Sequence, residues 1–463
     1  METAKLAIHK GHPFDGSTGS PDKAVTFGHS LKPDFLLDTE YRNLNHGSFG
    51  TYPSIVRDTL RSFQDQAEAR PDQFIRYEYP KALDKSRVAM AKFLDVPVET
   101  ITFVSNATTG INTVMRNLIF KPKDKIVYFS TIYGACGKTV SYITETTAAE
   151  AVKIEVTYPV SDEWIVGEFE RVVRGEKEAG NNVKVAIFDT VVSMPGVRVP
   201  FERLTAACKD LGVLSCVDGA HGVGHVELDL GKLDCDFFVS NCHKWLFVPR
   251  GCAVFYVPIR NQHLIRSTLP TSHGFTPLPF TDRGYTPRPG KSIENPLPPS
   301  SKSAYITNFQ FVGTIDNAPY LCIPTALDYR QKLGGEAAIR KYCHSLARTA
   351  ARIVSEALGT EILENEEGTL GNCCMSNVKL PLSLAEITTM AKTEDVGMMM
   401  LNWIYGVLVR EFNTFMAIVW FGDAWWVRFS AQVYLEEKDF EWAAEVLKEV
   451  CARILKGEFL QEK

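Results

Sequence analysis

The sequence predicts an α/β fold: a large domain with a seven-stranded, mostly parallel sheet between helices, followed by a smaller C-terminal α+β domain. Seven short runs rich in β-branched and aromatic residues recur at 102–104, 126–129, 152–156, 185–188, 214–217, 237–239 and 253–257. Segments long enough for a crossover helix separate most of them, the pattern of parallel strands covered on both faces. The remaining observation is a break in character. Residues 274–303 hold seven prolines, too many for regular structure, and read as a long surface excursion.

In chain order, residues 1–40 are polar, with Gly, Ser and Pro, and read as an N-terminal arm. Residues 54–70 place apolar side chains at 55, 60, 63 and 67, a helical period. The large domain extends over 41–321 and takes in the excursion. The small domain covers 322–463, and the N-terminal residues are expected to pack against it. There Asp439 is positioned to cap a helix with apolar residues at 440, 443, 447, 450 and 454, and Gly457 to end it.

Composition narrows the function. The 463 residues suffice for two domains. With 23% charged and 45% apolar residues and a net charge of −5, the chain lacks the basic block of a nucleic-acid binder. METAKLAIHKG has no apolar signal core, and no run approaches the roughly 18 apolar residues of a membrane span. Eleven cysteines without CxxC spacing fit reduced thiols in the cytoplasm, not a disulfide framework or a zinc site. His221 and His225 have HxxxH spacing but lack the glutamate of HExxH, so no metal is expected. GxSxG is absent, and GVGHVE fails the dinucleotide fingerprint at its last glycine.

Chemistry first shows at Lys244, set among apolar neighbours in FVSNCHKWLFVPRGCAVFYV, between two strand-like runs. A lysine is costly to bury because its ammonium loses hydration. Asp218 ends the preceding apolar run, 26 residues upstream. Strand C-termini in a parallel sheet share one edge, where ligands bind, so the two residues are expected to meet there. TFVSNATTGIN places Asn106 to Gly110 between a strand and a helix, a setting for an anion on free backbone N–H groups. Tyr133 follows another strand and brings an aromatic plate to the same edge. A lysine and an aspartate flanking one ligand are what pyridoxal 5′-phosphate (PLP) needs: an amine to tether its aldehyde and a carboxylate to keep its ring nitrogen protonated.

At SNCHKW, preceded by VDGAHGVG, the chain resembles the class V aminotransferase family of PLP enzymes, of fold type I. YRNLNHGSFGTYP, NATTGINTV, IYGACGKT, RNQHLIRSTLPTSHGF, FVGTIDN and FSAQVYLEEKDFEWA are similar to one branch, the fungal hercynylcysteine sulfoxide lyases of ergothioneine synthesis. The resemblance implies that Lys244 tethers PLP and that Asp218 pairs with the pyridine nitrogen. It implies that Ala107, Thr108, Asn241 and His243 hold the phosphate. Tyr133 would lie over the ring, and His221 near the phenolate oxygen. Thr314 would reach the phosphate of a second subunit, so a homodimer is implied. Arg428 would grip the α-carboxylate of an amino-acid substrate. Asn45, His46, Ser48 and Arg76 are further candidates to face the substrate. Where many members carry an Asn near the phenolate oxygen, AIFDTVVSMPGV offers Ser193. The implied reaction is β-elimination from a cysteine S-conjugate sulfoxide, giving a sulfenic acid, pyruvate and ammonia, with Tyr133 as proton donor.

Other readings stay open at this point. A cysteine desulfurase needs a mobile nucleophilic cysteine, and Cys373–Cys374 is the tempting pair, although it runs into the strand-like MSNVKLPL. An isopenicillin N epimerase-like enzyme would return a proton to Cα. A scaffold of the same fold would take up no cofactor. Tyr52, Phe74, Tyr77, Trp425 and Trp426 are candidates to face a trimethylammonium group, since aromatic faces attract such cations.

Overall fold

The computed structural model describes residues 26–268, 297–390 and 395–461. The proline-rich excursion falls mostly outside them, at 274–296. All seven sequence runs form strands: β1 (Ile101–Val104), β2 (Asp124–Phe129), β3 (Glu150–Ile154), β4 (Asn182–Asp189), β5 (Leu214–Asp218), β6 (Phe237–Asn241) and β7 (Ala253–Tyr256). They make one sheet in the order β1-β7-β6-β5-β4-β2-β3. Only β7 runs against its neighbours. The sheet is thus mostly parallel, and the C-terminal ends of β4, β5 and β6 lie side by side, with Asp189 in register with Asp218.

Helices cover both faces, because β4, β5 and β6 are apolar on both sides and must be hidden from water. Gly110, on the helix Ala107–Asn117, lets that helix approach β6 closely: a Cβ there would meet the Val239 side chain at 2.5 Å. The helix Ser54–Ala69 forms where its periodicity predicts. Its innermost residue is Val56, not Ile55, which stays exposed while Leu60, Phe63 and Ala67 pack inward.

In the C-terminal part, β8 (Met375–Lys379), β9 (Ala417–Phe421) and β10 (Ala424–Ser430) form an antiparallel sheet in the order β8-β10-β9. The last long helix, Glu437–Leu455, starts before the expected cap. Glu436 is the N-cap, and Asp439 closes a capping box by accepting the Glu436 N–H at 2.8 Å. Phe440, Ala443, Leu447, Val450 and Ile454 are buried as the spacing predicts. Gly457 adopts a left-handed φ of 76°, one residue past the C-cap Lys456. The described part of the N-terminal arm touches this region. Gly28 N–H donates to the Val433 carbonyl at 2.7 Å, and His29 meets Asp439 at 2.7 Å.

Candidate active site

The sheet edge opens into a cavity of about 480 Å³. Its lining includes Ser48, Phe49, Thr108, Tyr133, Asp189, Ser193, Asp218, Ala220, His221, Asn241, His243 and Lys244. The segments that follow β1, β2, β4, β5 and β6 deliver residues here, so side chains spread over more than 130 positions meet in one space.

Lys244 lies one turn after β6 and is 9% exposed. Its Nζ sits 2.8 Å from His221 Nε2. Burial, then the charge of Arg428, pulls its pKa down to about 7, so the amine is substantially neutral in neutral solution. The loop that carries it is held from several sides. The Lys244 carbonyl accepts a proton from His46 Nε2 at 2.6 Å. Arg330, fully buried, donates to the Trp245 carbonyl at 2.7 Å and to that of Gly224 at 3.0 Å. Gly50, at φ 63°, packs so close that a Cβ would strike the His243 carbonyl at 1.8 Å. The chain then turns left-handed at Phe247, φ 66°, a conformation costing about 1–3 kcal/mol that the packing around it holds in place.

Asp218 ends β5 at 1% exposure. One carboxylate oxygen accepts the Ala220 N–H at 2.9 Å and the other the Cys136 thiol at 3.3 Å. Burial raises its pKa, while those donors and Lys244 pull the other way. Beside it, Asp189 also faces the cavity, and burial and the Asp218 charge push its carboxyl well above the usual range. Two adjacent acids with unequal donors separate into a charged one and a neutral one. Asp218, with two donors, is the charged member.

The helix Ala107–Asn117 points its N-terminus at the cavity, capped by Asn106, whose side chain accepts from Thr109 N–H at 2.8 Å. Asn241 Oδ1 takes the Ala107 N–H at 2.9 Å, which leaves the Asn241 amide group and Thr108 as donors beside His243. Tyr133, 48% exposed, and Phe49, 68% exposed, stand at the mouth.

Arg428 is not on the cavity wall. It is fully buried behind Ser48 and Ser193, donating to the Ser193 carbonyl at 2.6 Å, Asn45 Oδ1 at 2.7 Å and Ser48 Oγ at 2.8 Å. Its Nε has no partner among the described residues. Asn45 and Ser48 therefore hold Arg428. His46 differs from the expectation. Its ring is fully buried, turned from the cavity between the Lys244 carbonyl and the Tyr434 hydroxyl, so it braces the lysine loop and has no path to a substrate. Arg76 pairs with Asp72 on an outer helical turn, and Thr314 is exposed in the loop after the helix Ala304–Gln310; neither lines the described cavity. Phe74, Trp425 and Trp426 are buried core residues, and neither they nor Tyr52 and Tyr77 line the cavity. Cys373 and Cys374 are buried, and burial pushes the Cys373 thiol up to about 12. His225 is engaged on both ring nitrogens, with the His221 carbonyl and the Cys374 N–H.

The residues present fit PLP. A buried amine, a buried carboxylate, a helix N-terminus and an aromatic ring surround one slot. Comparison with known proteins agrees: the description "Aminotransferase class-V" matches residues 72–381. The chain belongs to the class V aminotransferase family. It is an enzyme, and PLP is its cofactor. An L-cysteine desulfhydrase-like protein of Epichloe uncinata is 37% identical over 454 residues, covering 95% of this chain and 99% of that one. Hercynylcysteine sulfoxide lyase of Schizosaccharomyces pombe is 28% identical over 429 residues, covering 92% and 98%. A cystine C–S lyase structure with cysteine persulfide superposes with TM-score 0.68 at 17% identity, covering 89% and 98%, which shows the shared fold. The class V assignment made from the motifs stands, and the desulfhydrase-like relative is nearer than the sulfoxide lyase. No described helix is long and apolar enough to cross a membrane.

Sequence reasoning missed Asp189, Cys136, Trp245 and Arg330. Asp189 ends its apolar run as Asp218 does, so the same rule would have found it.

Proposed function

We propose that this PLP-dependent carbon–sulfur lyase expels a sulfur leaving group from Cβ of a cysteine-derived amino acid. We take a cysteine S-conjugate sulfoxide as its substrate, with hercynylcysteine sulfoxide favoured by the sequence motifs. The observation that carries this reading is the amine of Lys244, its pKa drawn down to about 7 by burial, in a cavity that also holds Asp218. Bound there, PLP supplies an electron-accepting ring that draws negative charge away from Cα.

The chain's own groups do the rest. A base must carry a lone pair at working pH, and the lowered pKa of Lys244 suits its Nζ to take the Cα proton. We take Arg428 to receive the α-carboxylate: Ser48, on the cavity wall, and Asn45 swing aside from the guanidinium they now hold and open it to the cavity, where its Nε, without a partner among the described residues, is free to donate. The Cβ–S bond breaks, and Tyr133 at the mouth supplies the proton that makes the leaving group a neutral sulfenic acid. The three-carbon remainder takes up water and ends as pyruvate and ammonia. Arg428→Lys is expected to lower kcat/KM about 10- to 100-fold, chiefly through KM, because an ammonium cannot bind both carboxylate oxygens in a plane. Tyr133→Phe is expected to lower kcat about 100-fold. Unchanged turnover at equal cofactor occupancy removes Tyr133 from this role.

The deciding experiment supplies the PLP-loaded protein with S-substituted cysteine sulfoxides and with L-cysteine, measuring pyruvate and sulfide. The sulfoxide is expected to be preferred. A second reading, an L-cysteine desulfhydrase, is favoured by the higher identity of the desulfhydrase-like relative, and a preference for L-cysteine with sulfide release establishes it instead. Exchange of the α-proton without pyruvate points to an epimerase. The desulfurase reading lacks its nucleophile, since Cys373 and Cys374 are buried away from the cavity.

A further inference from the structure

We infer that Trp245 is a positioning residue: its indole N–H fixes the tautomer of His221, and that tautomer keeps Lys244 a hydrogen-bond acceptor. An indole N–H can only donate. It lies 3.1 Å from His221 Nδ1, so Nδ1 is bare. A neutral imidazole has one proton, which must then sit on Nε2. Nε2 is 2.8 Å from Lys244 Nζ. The N–H there needs a lone pair, and only a neutral amine has one. The opposite tautomer leaves Nε2 bare, able to accept from an ammonium, and so places no bar on a charged lysine.

Trp245 cannot easily turn away. Its ring is 1% exposed and stacks on His225 at 4.1 Å, and its carbonyl is held by Arg330. Other groups act on the pair from neighbouring elements. Asp218 favours an ammonium at Lys244, as Asp189 and Cys136 would if they ionised, while burial and Arg428 oppose it. His221 is acted on by Lys244, Arg428, His225 and His243, all of which, with burial, keep its ring neutral. With Asp218 pulling a proton onto Lys244, the direction of the His221 hydrogen bond adds to burial and Arg428 against it.

The inference rests on Lys244 being the amine that takes up PLP, so one arm of the test avoids the cofactor. In the full-length, cofactor-free protein labelled with [15N]histidine, NMR distinguishes bare from protonated ring nitrogens, and His221→Gln identifies the His221 signals. A bare Nδ1 and a protonated Nε2 are expected from about pH 6 to 9. A protonated Nδ1 overturns the inference, and this holds even if the Trp245 variant fails to fold. In the second arm, the rate of covalent PLP uptake is followed against pH. Trp245→Phe is expected to raise the midpoint by about one pH unit, making uptake below it about tenfold slower. In a His221→Gln background, which has no tautomer to choose, Trp245→Phe should leave the midpoint in place. A Trp245→Phe protein with the wild-type tautomer and midpoint overturns the inference. A wild-type chain that takes up no PLP at any pH overturns the proposed function instead, while the NMR arm still decides the tautomer.

Discussion

Lys244→Ala is expected to lower turnover at least about 10⁴-fold, the upper range for losing a positioned acid–base group, because the same amine both tethers the cofactor and takes the substrate proton. The fold should survive. Among the described residues Lys244 makes one side-chain hydrogen bond, to His221, and its amine is costly to bury, so alanine removes a burden as well as a contact. The loop stays braced through backbone carbonyls, by His46 on residue 244 and by Arg330 on Trp245, and neither brace needs the lysine side chain. Borohydride treatment of the loaded wild type should leave a mass increment on the peptide containing Lys244, and the variant should carry none there. Retained turnover, or an increment on another lysine at wild-type yield, ends the assignment.

The pH dependence follows from the same group. Uptake of PLP needs the neutral amine. The pKa of Lys244 is lowered to about 7, so the rate should climb as pH rises through that value and level off above it. Without the shift, a lysine would hold its proton until far more alkaline pH, near 10.4 for an unperturbed side chain, or about three further pH units. A midpoint near that unperturbed value shows that the amine is not buried in solution as it is here.

Much of the fold was readable in the sequence because buried parallel strands are short, apolar and β-branched, and seven such runs stood out. The cavity was readable where a polar residue closes an apolar run, as at Asp218 and at the Asn241–Lys244 turn. The helix start at 437 was misplaced because an acid at N3 of a capping box resembles one at the N-cap. His46 was misread for a different reason. A histidine next to pocket residues in sequence can turn its ring into the core when a backbone carbonyl and a tyrosine hydroxyl satisfy both nitrogens. Local sequence does not tell which way it turns. Nor does it reveal Arg330, which reaches the lysine loop from 85 positions away.

Asp218→Asn is expected to lower kcat about 100- to 1,000-fold, the usual cost of removing a group aimed at charge that develops in the reaction, whereas Asp189→Asn should stay within a few-fold of wild type. The two acids are register neighbours on β4 and β5, so proximity alone does not choose between them; their hydrogen bonds do. The Asp218 oxygens accept from the Ala220 N–H and the Cys136 thiol, and donors of that kind favour the ionised form. An asparagine there loses the charge that holds a pyridine nitrogen protonated, and it also turns an NH₂ group toward one of two donors, leaving a buried polar clash. Asp189 is kept protonated by burial and by the Asp218 charge, and a neutral carboxyl is closely matched in shape and charge by an amide. If the two substitutions reverse in severity, Asp189 is the ionised partner and the donors around Asp218 hold a structural acid. If both are mild, no ring nitrogen is protonated in this site. Measured at saturating cofactor, with absorbance confirming occupancy, the ratio of the two effects separates these cases where either variant alone would not.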